Sequence, residues 1–503
     1  MKKVEIGKKI RPEDVCAVAL NSNIKVELDP GAMPDIIKSR KRVEEVLASN
    51  SAVYGINTGF GSLSDVKVEK EGLKQLQVNL IRSHCAGVGK NIDKEYARAM
   101  MLLRAHNISL GFSGVRLEVI NSLLFFLNND ITPLIPEKGS VGASGDLAPL
   151  AHLTLCLMGE GEVLYKGEIK KSHEIIKQLG GKILELEAKE GLALINGTQF
   201  MASFGNLGLI HAESLLKHAD IISALTIDGV KGTFAPFDIR ISKIRPHNGQ
   251  MIVSKNITEL SKGSKIAESH FDCNRVQDPY SLRCIPQVHG AVRDAIAYLR
   301  KVVETEINSV TDNPLVFDDV IVSGGNFHGE PIALALDFAT IAMSEIGSIS
   351  ERRVDKILTP SFNGGLPAYL VRNSGINSGF MIAQYTSAAL VNENKVLSYP
   401  SSVDSIPTSN NKEDHVSMGA TGARKFIQVL DNIETILAIE LMAAVEACEQ
   451  RKPLETSKSL SKVIDLVRAE VPSLLEDRVI SGDINKIKQL IKSNKILAEV
   501  NVE

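Results

Sequence analysis

Lys138–Met158 reads KGSVGASGDLAPLAHLTLCLM, and the rest of the chain is organised around it. Gly139, Gly142 and Gly145 recur every third residue around the very small run Ala143-Ser144-Gly145, and an apolar, helix-like segment follows. Glycine permits backbone geometries that other residues resist. Two readings are open. In the first, a glycine-rich loop runs into a helix, with Ser144 or Asp146 as N-cap and Pro149 tolerated in the first turn. In the second, the triplet reacts with itself. In a tight bend the unhindered Gly145 nitrogen attacks the Ala143 carbonyl and closes a five-membered ring, and loss of the Ser144 hydroxyl as water leaves an exocyclic alkene. No ordinary side chain supplies such an electrophile.

Composition narrows the setting. At 503 residues the chain has material for two to four average domains. Hydrophobic residues at 44% and charged residues at 23% match ordinary soluble proteins and exclude global disorder. The formal net charge of -3 comes from 57 basic and 60 acidic residues, well mixed, so no nucleic acid or anionic membrane is called for as partner. The start, MKKVEIGKKIRPEDV, has no apolar region behind its lysines, and no apolar run approaches the ~20 residues that span a bilayer. A cytoplasmic location and no membrane partner are the expectation. The six cysteines, Cys16, Cys85, Cys156, Cys273, Cys284 and Cys448, form no CxxC pair, and the eleven histidines form no HExxH. Neither a disulfide framework nor a metal site is expected.

Residues 1–50 mix strand-like pieces such as IKVEL with a charged helical pattern in DIIKSRKRVEEVLAS. In VYGINTGFGSLSD, Gly55, Gly59 and Gly61 interrupt any regular element and put Tyr54 on a loop. Helical patterns resume through GLKQLQVNLIRSHCAG and YARAMMLLRAHNISLGFSG, and YKGEIKKSHEIIKQLGGK reads as a polar surface insertion. Beyond Asn196 the texture changes. Five segments, starting at FMASFGNL, PQVHGAVR, EPIALALD, SGFMIAQY and VSMGATGA, carry apolar residues near a 3.6-residue period. Each runs ~20 to 35 residues, or ~30 to 50 Å of helix. Several are apolar or alanine-rich around most of their circumference, as buried helices are. The expected fold class is mainly α, with an N-terminal mixed region over 1–200 that carries the glycine loop and a long-helix central bundle over 201–503. A bundle of this kind favours sharing between subunits.

Between these helices lie loops too specific in composition for simple connectors: NGTQ at Asn196, NRVQDPYSLRC at Asn274–Cys284, SGGNFHGEP at Ser323–Pro331, and DSIPTSNNKEDHVSM at Asp404–Met418. Catalytic groups often sit on loops held by a rigid scaffold. Together with YGINTGFG, SHCAG and GSVGASGDLAPLAH, these segments resemble the ammonia-lyase family that uses a methylidene-imidazolone (MIO) electrophile, and within it the histidine-specific branch. Seven matching segments run in the family's order from Tyr54 to Gly419, covering most of the chain.

The resemblance implies that Ala143, Ser144 and Gly145 cyclise autocatalytically into MIO, with no external cofactor, no metal and a helical homotetramer whose active sites draw on several subunits. Gly139 and Gly142 then form the bend and Asp146 aids closure. The chemistry has its own logic: a β-proton of an amino acid is far less acidic than any side chain, and ammonia leaves poorly, so capturing the substrate on an electrophile eases its departure. The family match points to Tyr54 and Tyr280 as the tyrosines lining the site, with Tyr280 favoured as base and Tyr54 assisting; a buried phenol with one partner is the plain alternative for each. Arg283 is implied as the fork for the substrate carboxylate, against a structural ion pair. Asn196 and Gln277 are implied as amides near ring and substrate, and Phe327 as a packing group.

Substrate choice rests on His84 and Glu413. His84 stands where histidine-specific and tyrosine-specific members hold a histidine. Glu413 suits an imidazole N–H and would be costly beside a phenyl ring. The implied substrate is L-histidine and the product trans-urocanate; a tyrosine ammonia-lyase or aminomutase is the alternative, and a helical scaffold protein the alternative outside enzymes. One departure is visible, because Lys412 stands where many members carry glutamine. Phosphate-loop readings fail on spacing, since GSVGASGD is neither GxGxxG nor GxxxxGK[ST].

Overall fold

The computed structural model describes residues 3–49, 52–59, 68–271 and 275–503. Gly61, Cys273 and Asn274 lie outside the described residues. Helices dominate, as the periodicity requires, and the strands described are short pieces in four small sheets. Lys25–Leu28, the expected IKVEL strand, pairs in parallel with Lys3–Ile6. The YKGEIKKS stretch is a hairpin of Glu162–Tyr165 and Glu168–Lys171 leading into the helix Ser172–Gln178.

By compactness the chain forms two units. One comprises Met1–Ile210, Arg300–Asp337 and Pro400–Arg424; the other comprises His211–Leu299, Phe338–Tyr399 and Lys425–Glu503. This grouping follows space and draws each unit from three separated stretches, whereas the sequence division at residue 200 follows chain order.

In the first unit, the helix Leu73–His84 buries Leu73, Gln77, Leu80 and Ile81, an i, i+4, i+7, i+8 stripe. It packs on Leu147–Leu157, which also packs on the short helix Glu190–Ile195. Leu73–His84 also packs on Glu190–Ile195, and the three contacts bring the ends that carry His84, the glycine loop and Asn196 to one place. The helix Lys94–Ile108 lies against Pro12–Leu20 and Leu117–Asn128 and is buried on all faces from Ala97 onward, Arg98 and Arg104 included.

In the second unit, polar groups tie long helices together. The buried Glu440 of Gly419–Glu449 accepts from Arg353 Nε at 2.6 Å, Thr226 Oγ1 at 2.7 Å and Ser350 Oγ at 2.6 Å. Asp220 accepts from His289 Nδ1 at 2.9 Å and Arg293 Nη2 at 2.6 Å. Arg353 Nη1 lies 3.3 Å from His289 Nε2, and because a guanidinium only donates, that imidazole nitrogen accepts and His289 is neutral. Burial pushes its pKa down in the same direction.

Two expectations need correction. The SGFMIAQY segment forms a helix of 17 residues, Met381–Leu397, shorter than its pattern suggested, because Gly379 is left-handed and ends the preceding turn. The helix Glu330–Leu358, at 29 residues, is long and apolar enough to cross a membrane by length and composition. Polar residues such as Asp337, Thr340 and Ser344 break its apolar run to the eye, but the apolar residues around them keep the mean hydropathy of the window at 1.5. Its apolar window is 61% buried within the chain, which accounts for the composition as that of a core helix.

Candidate active site

The glycine loop bends as its composition allows. Gly142 and Gly145 have φ of +66° and +74°, in the left-handed region that disfavours side chains. A Cβ on Gly145 would collide with the Gly197 carbonyl, so the NGTQ turn lies flat against the triplet. Asp146 N donates to Gly197 O at 2.7 Å, and Asn196 Nδ2 donates to Ser144 O at 2.9 Å. Asp146 occupies the N-cap position of Leu147–Leu157 but does not cap it. Its carboxylate turns away and accepts from Ser140 Oγ at 2.7 Å and Met201 N at 3.0 Å. Burial raises its pKa to about 7.

Two more loops clamp the other end of the bend. Met418 N donates to Val141 O at 2.9 Å, Ser417 Oγ to Gly142 O at 3.0 Å, and Gly329 N to Gly142 O at 3.4 Å. His328 Nε2 lies 3.0 Å from His415 O and links the two clamps. Phe327, half-buried, sits in the turn just before Gly329. Glu413 lies at the end of a tight turn in which Ser409, Asn410 and Asn411 are all left-handed and Thr408 and Glu413 bond backbone to backbone. That turn aims its carboxylate inward. Ser144 Oγ donates to Glu413 Oε1 at 2.6 Å, and Thr408 Oγ1 holds Oε2 at 2.7 Å. Lys412 is exposed.

His84 closes the helix that packs on the loop, with Nδ1 3.1 Å from Ser83 Oγ. Burial pushes its pKa down, and the Glu413 charge pulls the other way. Beyond it, Gly87 N donates to His152 Nε2 at 3.2 Å, and Gly87 touches the space beside Gly139. Burial pushes the Cys85 thiol up to about 12, which leaves it a packing group. Tyr54 is half-buried in its expected turn; a Cβ at neighbouring Gly55 would press on Leu192 and Pro314, so this turn rests on the helix that delivers Asn196.

Ala143, Ser144, Gly145, Asn196, Glu413 and His84 are thus gathered in the first unit, with Tyr54 and Phe327 on loops of the same unit. Gln277, Tyr280 and Arg283 belong to the second. There the Arg283 guanidinium lies over the Tyr280 ring, 4.6 Å from its centroid, while Tyr280 is 69% exposed and Gln277 is exposed. Asp278 anchors this stretch, accepting from Thr233 N at 2.7 Å and Arg275 Nη1 at 3.1 Å.

Several functional neighbours were not evident from the sequence. Ser417 and Met418 clamp the bend, and Arg104 supports the NGTQ turn from behind, with Nη1 donating to Asn196 O at 3.0 Å. A signal for Arg104 did exist: it falls on the apolar stripe of Ala97, Met100, Met101 and Ile108 at helical spacing.

A sequence model of the family described as aromatic amino acid lyase matches residues 10–469. The chain is similar to the histidine ammonia-lyase of Myxococcus xanthus, at 49% identity over 98% of this chain and 97% of that protein. Among solved structures, the histidine ammonia-lyase of Trypanosoma cruzi matches with a TM-score of 0.92 at 40% identity, over 99% of this chain and 95% of that one. Tyrosine aminomutase from Streptomyces globisporus matches with a TM-score of 0.94 at 37% identity, over 99% and 100%. With these matches over nearly its full length, and the ASG triplet set in a glycine bend, the chain belongs to the aromatic amino acid lyases, the class of enzymes that depends on MIO.

Proposed function

We propose that this chain eliminates ammonia from L-histidine to give trans-urocanate, using MIO formed autocatalytically from Ala143-Ser144-Gly145. The observation that carries the reading is the Glu413 carboxylate seated on the Ser144 hydroxyl at 2.6 Å, with the His84 imidazole within its electrostatic reach. The similarity to full-length histidine ammonia-lyases supports the same substrate. The triplet fits ring closure: its backbone is sharply bent at Gly145, Ala143 is buried, and an amide donor already sits on Ser144 O. Once formed, the group supplies an electrophilic alkene that ordinary side chains lack.

The chain's own residues divide the remaining work. Glu413 accepts a substrate imidazole N–H and favours its charged form. Asn196 Oδ1 is buried with no hydrogen-bond partner among the described residues and offers an acceptor to a substrate N–H. Arg283 grips the carboxylate through a charge-assisted fork. Tyr280 takes the β-proton with Tyr54 assisting, Gln277 contributes an amide, and Phe327 packs against the reacting groups. In this reading Gln277, Tyr280 and Arg283 meet the triplet in a homotetramer, where other copies complete each site. Exposed apolar side chains in the second unit, including Phe338, Ile382, Tyr385 and Tyr399, give such copies a surface to cover.

Tyrosine deamination or isomerisation is the second reading, favoured by His84, which can hold a phenol, and by the similarity to tyrosine aminomutase. Incubation with L-histidine and L-tyrosine in parallel, following absorbance for the elimination products and chromatography for a β-amino acid isomer, decides between them. Urocanate from histidine is expected; a clear preference for tyrosine would overturn the assignment.

A further inference from the structure

Behind the NGTQ turn, the first unit buries a small group of charged side chains. Arg104, Lys189 and Asp312 are each fully buried. Lys189 Nζ pairs with Asp312 Oδ2 at 2.9 Å, and Asp312 Oδ1 is taken by Asn313 N at 2.7 Å. Arg104 has no carboxylate in contact among the described residues. Among the described residues its fork is held by neutral acceptors, Asn196 O at 3.0 Å, Gln199 Oε1 at 2.7 Å and Ala193 O, and its Nε has no hydrogen-bond partner. Burying a charge without a counter-charge is costly. Among the described residues the nearby carboxyls are bonded elsewhere: Asp146 accepts from Ser140 Oγ and Met201 N, and Glu306 accepts from Thr198 Oγ1. The Arg104 guanidinium thus has no directly bonded carboxylate among the described residues, and it lies directly behind the residue whose amide sits on Ser144 O.

We propose that Arg104 is a positioning residue that raises the electrophilicity of the Ala143-Ser144-Gly145 site, by holding the Asn196 amide on the Ser144 carbonyl and by keeping its own buried charge unpaired. Preorganised positive potential of this kind aids a centre where electron density accumulates, and it acts strongly where water is excluded. The inference rests on the proposed conversion of the triplet.

Gln199 allows the charge to be tested without removing it. Gln199→Glu offers the guanidinium a carboxylate where it now has an amide oxygen, and Thr311 Oγ1, which now accepts from Gln199 Nε2 at 2.8 Å, can turn to donate. The probe is cyanide, a small nucleophile that needs none of the substrate-binding groups, followed by bleaching of the near-ultraviolet absorption. Gln199→Glu is expected to melt no lower than wild type and to be lighter than its encoded mass by two waters, yet to bleach about tenfold more slowly or worse, with kcat falling in parallel and KM within about threefold. Arg104→Lys, which keeps the charge, is expected to bleach within about tenfold of wild type. Wild-type bleaching in Gln199→Glu, its retention of the encoded mass, or a larger loss in Arg104→Lys would overturn the inference. A wild-type protein at its encoded mass would instead overturn the conversion of the triplet itself.

Discussion

Gly197 is a crowded point of the site that needs no left-handed φ, and Gly197→Ala tests the geometry directly. The added methyl would collide with Arg104 Nη1 and Gln199 Oε1 and stand 2.7 Å from the Thr311 carbonyl, where real Cβ contacts stay beyond 3.0 Å. No strain from φ is involved, so space alone decides. Arg104 and Gln199 are held by other bonds, and Thr311 O is backbone, so the turn itself must shift. Overpacking of this kind costs about 1 to 3 kcal/mol, which a domain of ordinary stability survives. The shift falls on Asn196 and on the Gly145–Gly197 contact, and a displacement approaching 1 Å in a positioned group costs about a hundredfold in rate. The expected result is a folded protein with a urea midpoint modestly lowered and turnover of L-histidine reduced by about two orders of magnitude. Gly482→Ala, in a helix with nothing near the added methyl, serves as control and should be neutral or slightly stabilising. Wild-type turnover in Gly197→Ala would refute the claim that the NGTQ turn positions the site.

Ser144→Ala should retain the helical fold by circular dichroism, lack the near-ultraviolet absorption and lose turnover; preserved activity would remove the triplet from the mechanism. Arg283→Lys should raise KM far more than it lowers kcat, because a point charge replaces a planar fork; the opposite split would argue against carboxylate binding. Acid should destabilise the protein through two fully buried histidines, His106 and His218, whose pKa values burial pushes from 6.5 to about 4. Below about pH 6.5 the unfolded chain takes up protons that the folded chain refuses, so this stability is complete above that pH and falls towards pH 4. The slope approaches about 1.4 kcal/mol per pH unit for each ring. A urea midpoint unchanged between about pH 7 and pH 5 would contradict it.

Much of the architecture was legible in the sequence because it is set by near neighbours. The 3.6-residue period marks the long helices whatever they pack against, and Gly142 and Gly145 announce a bend because only glycine enters the left-handed region cheaply. The helix Met381–Leu397 came out shorter than its pattern because periodicity carries no information about where a preceding left-handed glycine stops the turn. Asp146 looked like a helix cap by position, yet its carboxylate goes to Met201 N, a partner 55 residues away. Arg104 falls on the apolar stripe of its helix, but that its fork meets Ala193, Asn196 and Gln199 follows only from the packing of a distant segment.

The sequence by itself determined the Ala143-Ser144-Gly145 triplet and the glycines that let it bend, since local backbone freedom resides in a few adjacent residues. Tertiary structure alone decided that Glu413 meets Ser144 across 269 residues, that Arg104 lies behind Asn196, and that burial raises the pKa of Asp146 to about 7. Desolvation and charge pairing depend on which distant segments exclude water together, and no local pattern encodes that.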